Sequence, residues 1–189
     1  MTDTARASDP DALDSFDAVV YDLDGTLVRL LVDWDAVARD AIARFDEHGV
    51  DATGYDLWAM LDLADERGLR SEIEAVIAGH EREGARNSTR LALADRLLAH
   101  DPRTPVGVCS LNCEESVRIA LETHGLGEAV DAVVGRDTVS TRKPDPEPLL
   151  ATLRGLEVDP GRAVFVGDSP GDRTTAERAG VAYRSVDDF

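Results

Sequence analysis

The residues able to do chemistry fall in four places along this 189-residue chain. Asp22 and Asp24 sit in Asp22-Leu23-Asp24-Gly25-Thr26, and Ser110 closes the apolar run Pro105-Val106-Gly107-Val108-Cys109. Lys143 stands in Arg142-Lys143-Pro144-Asp145-Pro146, and Asp168 and Asp172 belong to Gly167-Asp168-Ser169-Pro170-Gly171-Asp172. Taken singly, each has a plain structural reading. Asp-x-Asp-Gly-Thr makes a turn with a capping aspartate, Gly-Asp-Ser caps a helix, and a strand-end serine is common. Taken together and in this order, they bring four carboxylates, one hydroxyl and one ammonium toward one place. Four carboxylates at close range repel and shift each other's pKa values. A divalent cation resolves this, and an oxygen-only donor set with room for water suits Mg²⁺. The cation and Lys143 would together neutralise an incoming phosphate dianion, with Ser110 and nearby backbone N–H groups donating to its oxygens.

These residues need elements that carry them to a common edge. Phe16 to Tyr21 is an apolar run that stops at Asp22 and reads as a buried strand ending in a glycine turn. Between Asp33 and Arg86 the pattern turns helical. Trp34, Val37, Ala38, Ala41, Ile42 and Phe45 mark one helix, ended by His48-Gly49. Tyr55, Leu57, Trp58, Leu61 and Ala64 mark a second, closed by Gly68, and Ile73, Val76 and Ile77 a third. Asn87-Ser88-Thr89 is expected to cap a further helix through Leu91, Ala94, Leu97 and Leu98. Strands and helices then alternate: strands at 105–110, 130–134, 163–167 and 181–186, helices at 114–124, 147–154 and 171–179, each helix ended by a glycine. Strands apolar throughout belong to a parallel sheet covered on both faces. The predicted fold is α/β, a doubly wound, Rossmann-like parallel sheet with a small inserted α-helical segment. Its expected divisions are an acidic tail at 1–15, the core at 16–29 and 87–189, and the helical insert at 30–86. In such a sheet the site lies beyond the carboxyl ends of the strands, where all four groups fall.

Other features set limits. The chain has 38 acidic and 20 basic residues, a formal charge of −18, and 43% hydrophobic residues, enough for a sizeable core. That charge disfavours nucleic-acid backbones and anionic membranes. No apolar run approaches the roughly 20 residues of a membrane span, and the first ten residues lack a signal-peptide pattern, so a cytoplasmic protein is expected. Cys109 and Cys113 make no zinc spacing with the four histidines. Cys109 reads as a small buried hydrophobe, and Cys113 opens a helix, where the dipole would lower its pKa. Trp34, Trp58, Arg29 and Arg70 read as helix-face packing and surface solvation rather than substrate contacts. Leu30-Leu31-Val32 reads as packing against the insert. A monomer or a homodimer is expected.

The four ordered motifs, Asp22-Leu23-Asp24-Gly25-Thr26-Leu27, Ser110, Lys143-Pro144 and Gly167-Asp168-Ser169-Pro170-Gly171-Asp172, resemble those of the haloacid dehalogenase (HAD) superfamily over roughly residues 16 to 189. The helical insert resembles the cap of its phosphoglycolate-phosphatase-like branch. The resemblance implies that Asp22 is a nucleophile forming an aspartyl-phosphate, and that Asp24 is the general acid and base. It also implies Mg²⁺ held by Asp22, Asp168 and the backbone carbonyl of Asp24. Ser110 and Lys143 would hold the phosphoryl group, and Asp172 would reach the metal through water or orient Lys143. The expected activity is Mg²⁺-dependent hydrolysis of a small phosphorylated metabolite: phosphoglycolate, a sugar phosphate or a nucleoside monophosphate. Phosphoryl transfer to a second substrate, as in a phosphomutase, is the alternative. Dehalogenation needs no acid at position 24, and a non-catalytic binding role needs no intact set of motifs. The sequence departs from many relatives in lacking Pro-Gly in the helix before the second strand.

Lys143 is the only lysine among the 20 basic residues. An acidic, arginine-bearing surface suggests adaptation to high salt, and GC-rich coding bias is the competing source. Salt adaptation predicts a melting temperature that rises from low to molar KCl, as repulsion among surface carboxylates is screened. Scanning fluorimetry checks it; a flat or falling temperature would leave coding bias as the explanation.

Overall fold

The computed structural model describes residues 13, 15–101 and 103–189. The acidic tail expected at 1–15 lies outside them apart from Leu13 and Ser15, and Leu13 is buried in the core rather than loose. In chain order the first elements are β1 (Ala18–Tyr21), β2 (Val28–Arg29), α1 (Trp34–Glu47), α2 (Leu57–Arg67), α3 (Arg70–Arg86), β3 (Thr89–Arg90) and α4 (Ala92–Leu98). Then come β4 (Val106–Cys109), α5 (Glu114–Thr123), β5 (Ala132–Val134), α6 (Glu147–Leu156), β6 (Ala163–Gly167), α7 (Pro170–Ala179) and β7 (Ala182–Ser185).

The sheet runs β5-β4-β1-β6-β7 with every pair parallel. Alternation along the central strands sorts side chains to two faces. Val19, Tyr21, Val106, Val108, Val164 and Val166 meet Leu93, Leu97, Val117 and Leu121 of α4 and α5 on one side. Ala18, Val20, Cys109, Ala163 and Phe165 meet Leu149, Leu153 and Ala176 of α6 and α7 on the other. Both faces of β1, β4 and β6 are therefore dry, and the expected apolar runs follow. The edge strand β7 is only half-buried along its length. Strand order reverses at β1, which makes its carboxyl end the crevice of the sheet.

Helices α1 to α3 form a separate apolar cluster around Phe45, Met60, Leu61, Ile73 and Ile77. Asp33 and Asp56 cap α1 and α2 through Ala36 N–H and Ala59 N–H, and Gly68 closes α2 in the left-handed region. Three expectations fail here for local reasons. Thr89 and Arg90 do not lead into a helix cap. They pair antiparallel with Val28 and Arg29, so the chain leaves and re-enters the core through a two-stranded ribbon, and α4 starts at Leu91 without a side-chain cap. Gly155 does not end α6. The helix runs on to Leu156 and stops at Glu157 in the left-handed region, while Gly155 lies where a Cβ would sit 3.2 Å from that of Ala132. Leu31 does not pack as expected but stands exposed between buried Leu30 and half-buried Val32. No helix of the described residues is long and apolar enough to cross a membrane.

One buried ion pair ties the helical cluster to the sheet. Arg136, on the loop after β5, donates to Glu81 Oε1 at 2.6 Å and Oε2 at 3.0 Å, and to Glu74 Oε2 at 2.9 Å, both on α3. It also donates to Leu111 O at 2.8 Å. Glu81 is wholly buried and accepts Cys113 N–H and the Asn112 side-chain amide as well. Removing the guanidinium alone strands that carboxylate, so Arg136→Ala should cost about 3–5 kcal/mol. Urea denaturation measures it. A loss below about 1 kcal/mol would mean that water reaches the pair.

Candidate active site

The Asp22-Leu23-Asp24-Gly25-Thr26 segment turns sharply as it leaves β1. Thr26, Leu27 and Val28 N–H groups all donate to Leu23 O, and Gly25 takes φ +90°. A Cβ on Gly25 would also collide with the Asp168 carboxylate. Glycine thus serves twice: it makes the turn and lets Asp168, at the end of β6, come against the loop that follows β1.

Asp22, Ser110, Lys143 and Asp172 are all buried. The Lys143 ammonium donates to Asp22 Oδ1 at 2.8 Å, Asp172 Oδ1 at 2.6 Å and Cys109 O at 3.1 Å, using three donors on three acceptors. Asp172 Oδ2 accepts Ser169 Oγ–H and N–H, while Ser169 Oγ accepts Asp172 N–H, a capping box that fixes the start of α7. Asp172 therefore touches Lys143 directly. Ser110, one residue beyond β4, donates to Asn112 Oδ1 and accepts Asn112 N–H.

Charge at this spot is crowded. Burial pushes the Asp22 carboxyl up to about 7; Lys143 opposes the rise and Asp172 adds to it. Burial also raises Asp24, whose Oδ1 accepts Leu30 N–H at 2.9 Å, and Asp168, where the charge of Asp172 adds. Burial alone would depress Lys143, but the carboxylates of Asp22 and Asp172 outweigh it and hold its pKa above the usual lysine range. Asp22, Asp168 and Asp172 place carboxylate oxygens within 4.8 Å of one another. Three close carboxylates, one of them held off ionisation by burial, fit a small hard cation with oxygen ligands. Asp24 stands outside that triad.

The two cysteines separate. Cys109 is the expected buried hydrophobe, its thiol pushed up to about 12 by burial. Cys113 does open α5, but burial raises its pKa instead of the dipole lowering it. Residues that the motifs did not flag also reach the site. Asn112 holds Ser110, and Glu81 together with Trp34, Tyr55, Leu57 and Trp58 lines the cavity above the carboxylates. The tryptophans, read from sequence as packing residues, thus face the site cavity. Polar Asn112 soon after a strand end was a usable signal; nothing local marked Glu81.

The site is thus an aspartate at the end of a central parallel strand, held by a buried lysine beside two further carboxylates. The profile of the haloacid dehalogenase-like hydrolases matches residues 19–186, and the chain belongs to that family. A phosphoglycolate phosphatase of Rhodospirillum rubrum is 36% identical over 186 residues, covering 87% of this chain and 76% of that one. One from Cereibacter sphaeroides is 33% identical over 189 residues, covering 87% and 82%. The validoxylamine A 7'-phosphate phosphatase of Streptomyces hygroscopicus subsp. limoneus is 28% identical, covering 88% and 83%. The structure of a HAD-superfamily hydrolase from Geobacter sulfurreducens PCA shares 27% identity and a TM-score of 0.60 over 88% of this chain and 86% of that one. CbbY from Rhodobacter sphaeroides, solved with phosphate, shares the fold at 22% identity and a TM-score of 0.64 over 90% and 85%.

Because Asp22 titrates near 7, a cation binding there at about pH 6 must displace a proton that it need not displace at about pH 8. Mg²⁺ should therefore bind about tenfold more weakly at about pH 6 than at about pH 8. Calorimetric titration checks it, and equal affinity at both pH values would mean that Asp22 is ionised throughout.

Proposed function

We propose that this chain is a Mg²⁺-dependent phosphatase that hydrolyses a small phosphomonoester through an aspartyl-phosphate on Asp22. The observation that carries this reading is the Lys143 ammonium fixed between Asp22 and Asp172 at the carboxyl end of β1. Family membership and similarity to phosphatases over most of their length support it. Cytoplasmic location and salt adaptation belong to the same reading and rest on composition alone.

The chain's own residues divide the work. Lys143 fixes Asp22 Oδ1, so the nucleophile enters the reaction already oriented, and the same ammonium stands ready for a phosphoryl oxygen. A carboxylate oxygen of Asp22 attacks phosphorus as the ester P–O bond breaks. The departing oxygen takes its proton from Asp24, whose pKa burial raises. Water then attacks phosphorus of the acyl phosphate and gives a proton back to Asp24, which frees phosphate and restores Asp22. Ser110, aligned by Asn112, donates to a phosphoryl oxygen. Asp22, Asp168 and the Asp24 carbonyl would hold Mg²⁺, with Asp172 steadying Lys143. Bound there, the cation supplies charge neutralisation between the nucleophile and the phosphate dianion. Residues 30–86 serve as a cap over the core formed by 16–29 and 87–189, excluding bulk water during transfer.

The aspartates are separable by leaving group. Asp22→Asn should abolish turnover of every ester. Asp24→Asn should slow phosphorylation of Asp22 by roughly 10²–10⁴-fold with an alkyl phosphate and far less with p-nitrophenyl phosphate, whose leaving group scarcely needs a proton. Single-turnover phosphorylation measures both, and the acyl phosphate should accumulate in this variant. Equal slowing with the two esters would remove the acid role from Asp24.

A further inference from the structure

Above the carboxylates lies a cavity of about 460 Å³, within the usual size for a small-molecule site. Its floor is Asp22, Ser110, Lys143 and Asp168, and its opposite wall comes from α1 and the start of α2. That wall is aromatic and aliphatic: Trp34, Val37, Tyr55, Leu57 and Trp58. Trp34 and Tyr55 are 44% and 47% exposed, although large apolar side chains are otherwise mostly buried here. They are not spent on the helical core, whose centre is Phe45, Met60 and Ile73.

The charges of the cavity are as one-sided as its surface. Among the described residues lining it, Lys143 is the only cation, and it already sits between two carboxylates. The acidic groups of the wall are engaged. Asp56 caps α2 through Ala59 N–H, and Glu81 is held by Arg136. Arg29, whose charge acts on Asp24 and Asp168, stands outside the lining of the cavity, and the two arginines nearest the wall are engaged. Arg136 lies across Glu74 and Glu81, and Arg142 donates to Asp62 at 2.8 and 3.0 Å with its guanidinium over the Trp58 ring. A second anionic group on a substrate would lose its water here and meet rings and carboxylates. An uncharged ring would bury its faces against the aromatic wall.

We propose, resting on the phosphatase reading above, that the substrate is a phosphomonoester whose alcohol portion is uncharged and carries a ring stacked against Trp58 and Trp34. Esters with a second anionic group, phosphoglycolate among them, are selected against. The specificity of this chain thus departs from the substrate named for its phosphoglycolate-phosphatase relatives.

The test compares kcat/KM of the full chain with Mg²⁺ on benzyl phosphate, methyl phosphate and phosphoglycolate, three esters with unactivated alkyl leaving groups. Benzyl phosphate should exceed phosphoglycolate by about tenfold or more, chiefly through KM. Trp58→Ala should lower benzyl phosphate severalfold more than methyl phosphate, closing most of the gap between them, while Trp58→Phe keeps most of the difference. If Trp58→Ala loses methyl phosphate turnover as well, Trp34→Ala, at an exposed position, takes its place with the same expected result. Phosphoglycolate turned over as well as benzyl phosphate, or better, overturns the proposal. A benzyl preference untouched by both tryptophan variants overturns it too. No turnover of any ester, together with no phosphorylation of Asp22 by acetyl phosphate, would overturn the phosphatase reading itself. Phosphorylation by acetyl phosphate with turnover of phosphoglycolate alone would overturn only the specificity.

Discussion

Everything at the site depends on one buried ammonium. Lys143 meets Asp22, Asp172 and the carbonyl of Cys109, so a single cation ties together the ends of β1 and β4 and the start of α7. Without it, two buried carboxylates would face each other with no cation between them, and at least one would take up a proton. The arrangement leaves net negative charge when Asp168 is counted, and that excess is what a divalent cation offsets. The lysine also explains why the loop after β5 must return over the sheet edge. Its side chain has to reach Asp22, 121 residues earlier in the chain.

A second buried cation does the corresponding work for architecture. Arg136 belongs to the sheet side and spends its fork on Glu74 and Glu81 of α3. Glu81 in turn accepts Cys113 N–H at the start of α5 and the side-chain amide of Asn112, the partner of Ser110. The position of the helical unit and the orientation of a candidate phosphate-binding hydroxyl therefore hang on the same carboxylate. Most of the other ion pairs, such as Arg82–Glu115 and Arg118–Glu114, have at least one well-exposed partner and contribute little to stability. Only the buried pairs carry positional information.

The sheet was legible because its signals are local. Apolar runs at 16–21, 105–110 and 163–167 become β1, β4 and β6, and the glycines after α2 and α7 stop those helices in the left-handed region. The motif residues were legible for a related reason: a strand end fixes where its next residue lies, so Asp22, Ser110 and Asp168 need only the sheet to meet. Errors fell where distant partners decide. Thr89 and Arg90 look like a helix approach until Val28 and Arg29 offer them a ladder. Gly155 looks like a helix end until Ala132 shows what a larger residue would strike. At Cys113 burial outweighed the helix dipole and the charge of Glu81 added to the rise, and nothing in the local sequence reveals that α3 brings Glu81 there.

The same distinction separates chemistry from specificity. The candidate catalytic groups are placed by the sheet and by short motifs, so the ends of its strands suffice to bring them together. The aromatic lining of the cavity comes from α1, α2 and the turn before α2, where Trp34, Tyr55 and Trp58 fit a helical period and carry no motif that marks them as facing a cavity. Trp58 also packs against the helical core, whereas Trp34 and Tyr55 take no part in it. Similarity to a phosphatase therefore carries the reaction much further than it carries the substrate. Two named relatives, one acting on phosphoglycolate and one on validoxylamine A 7'-phosphate, already stand at 36% and 28% identity to this one chain. In this chain the wall that the helices present to Lys143 is aromatic, and among the described residues lining the cavity Lys143 is the only cation.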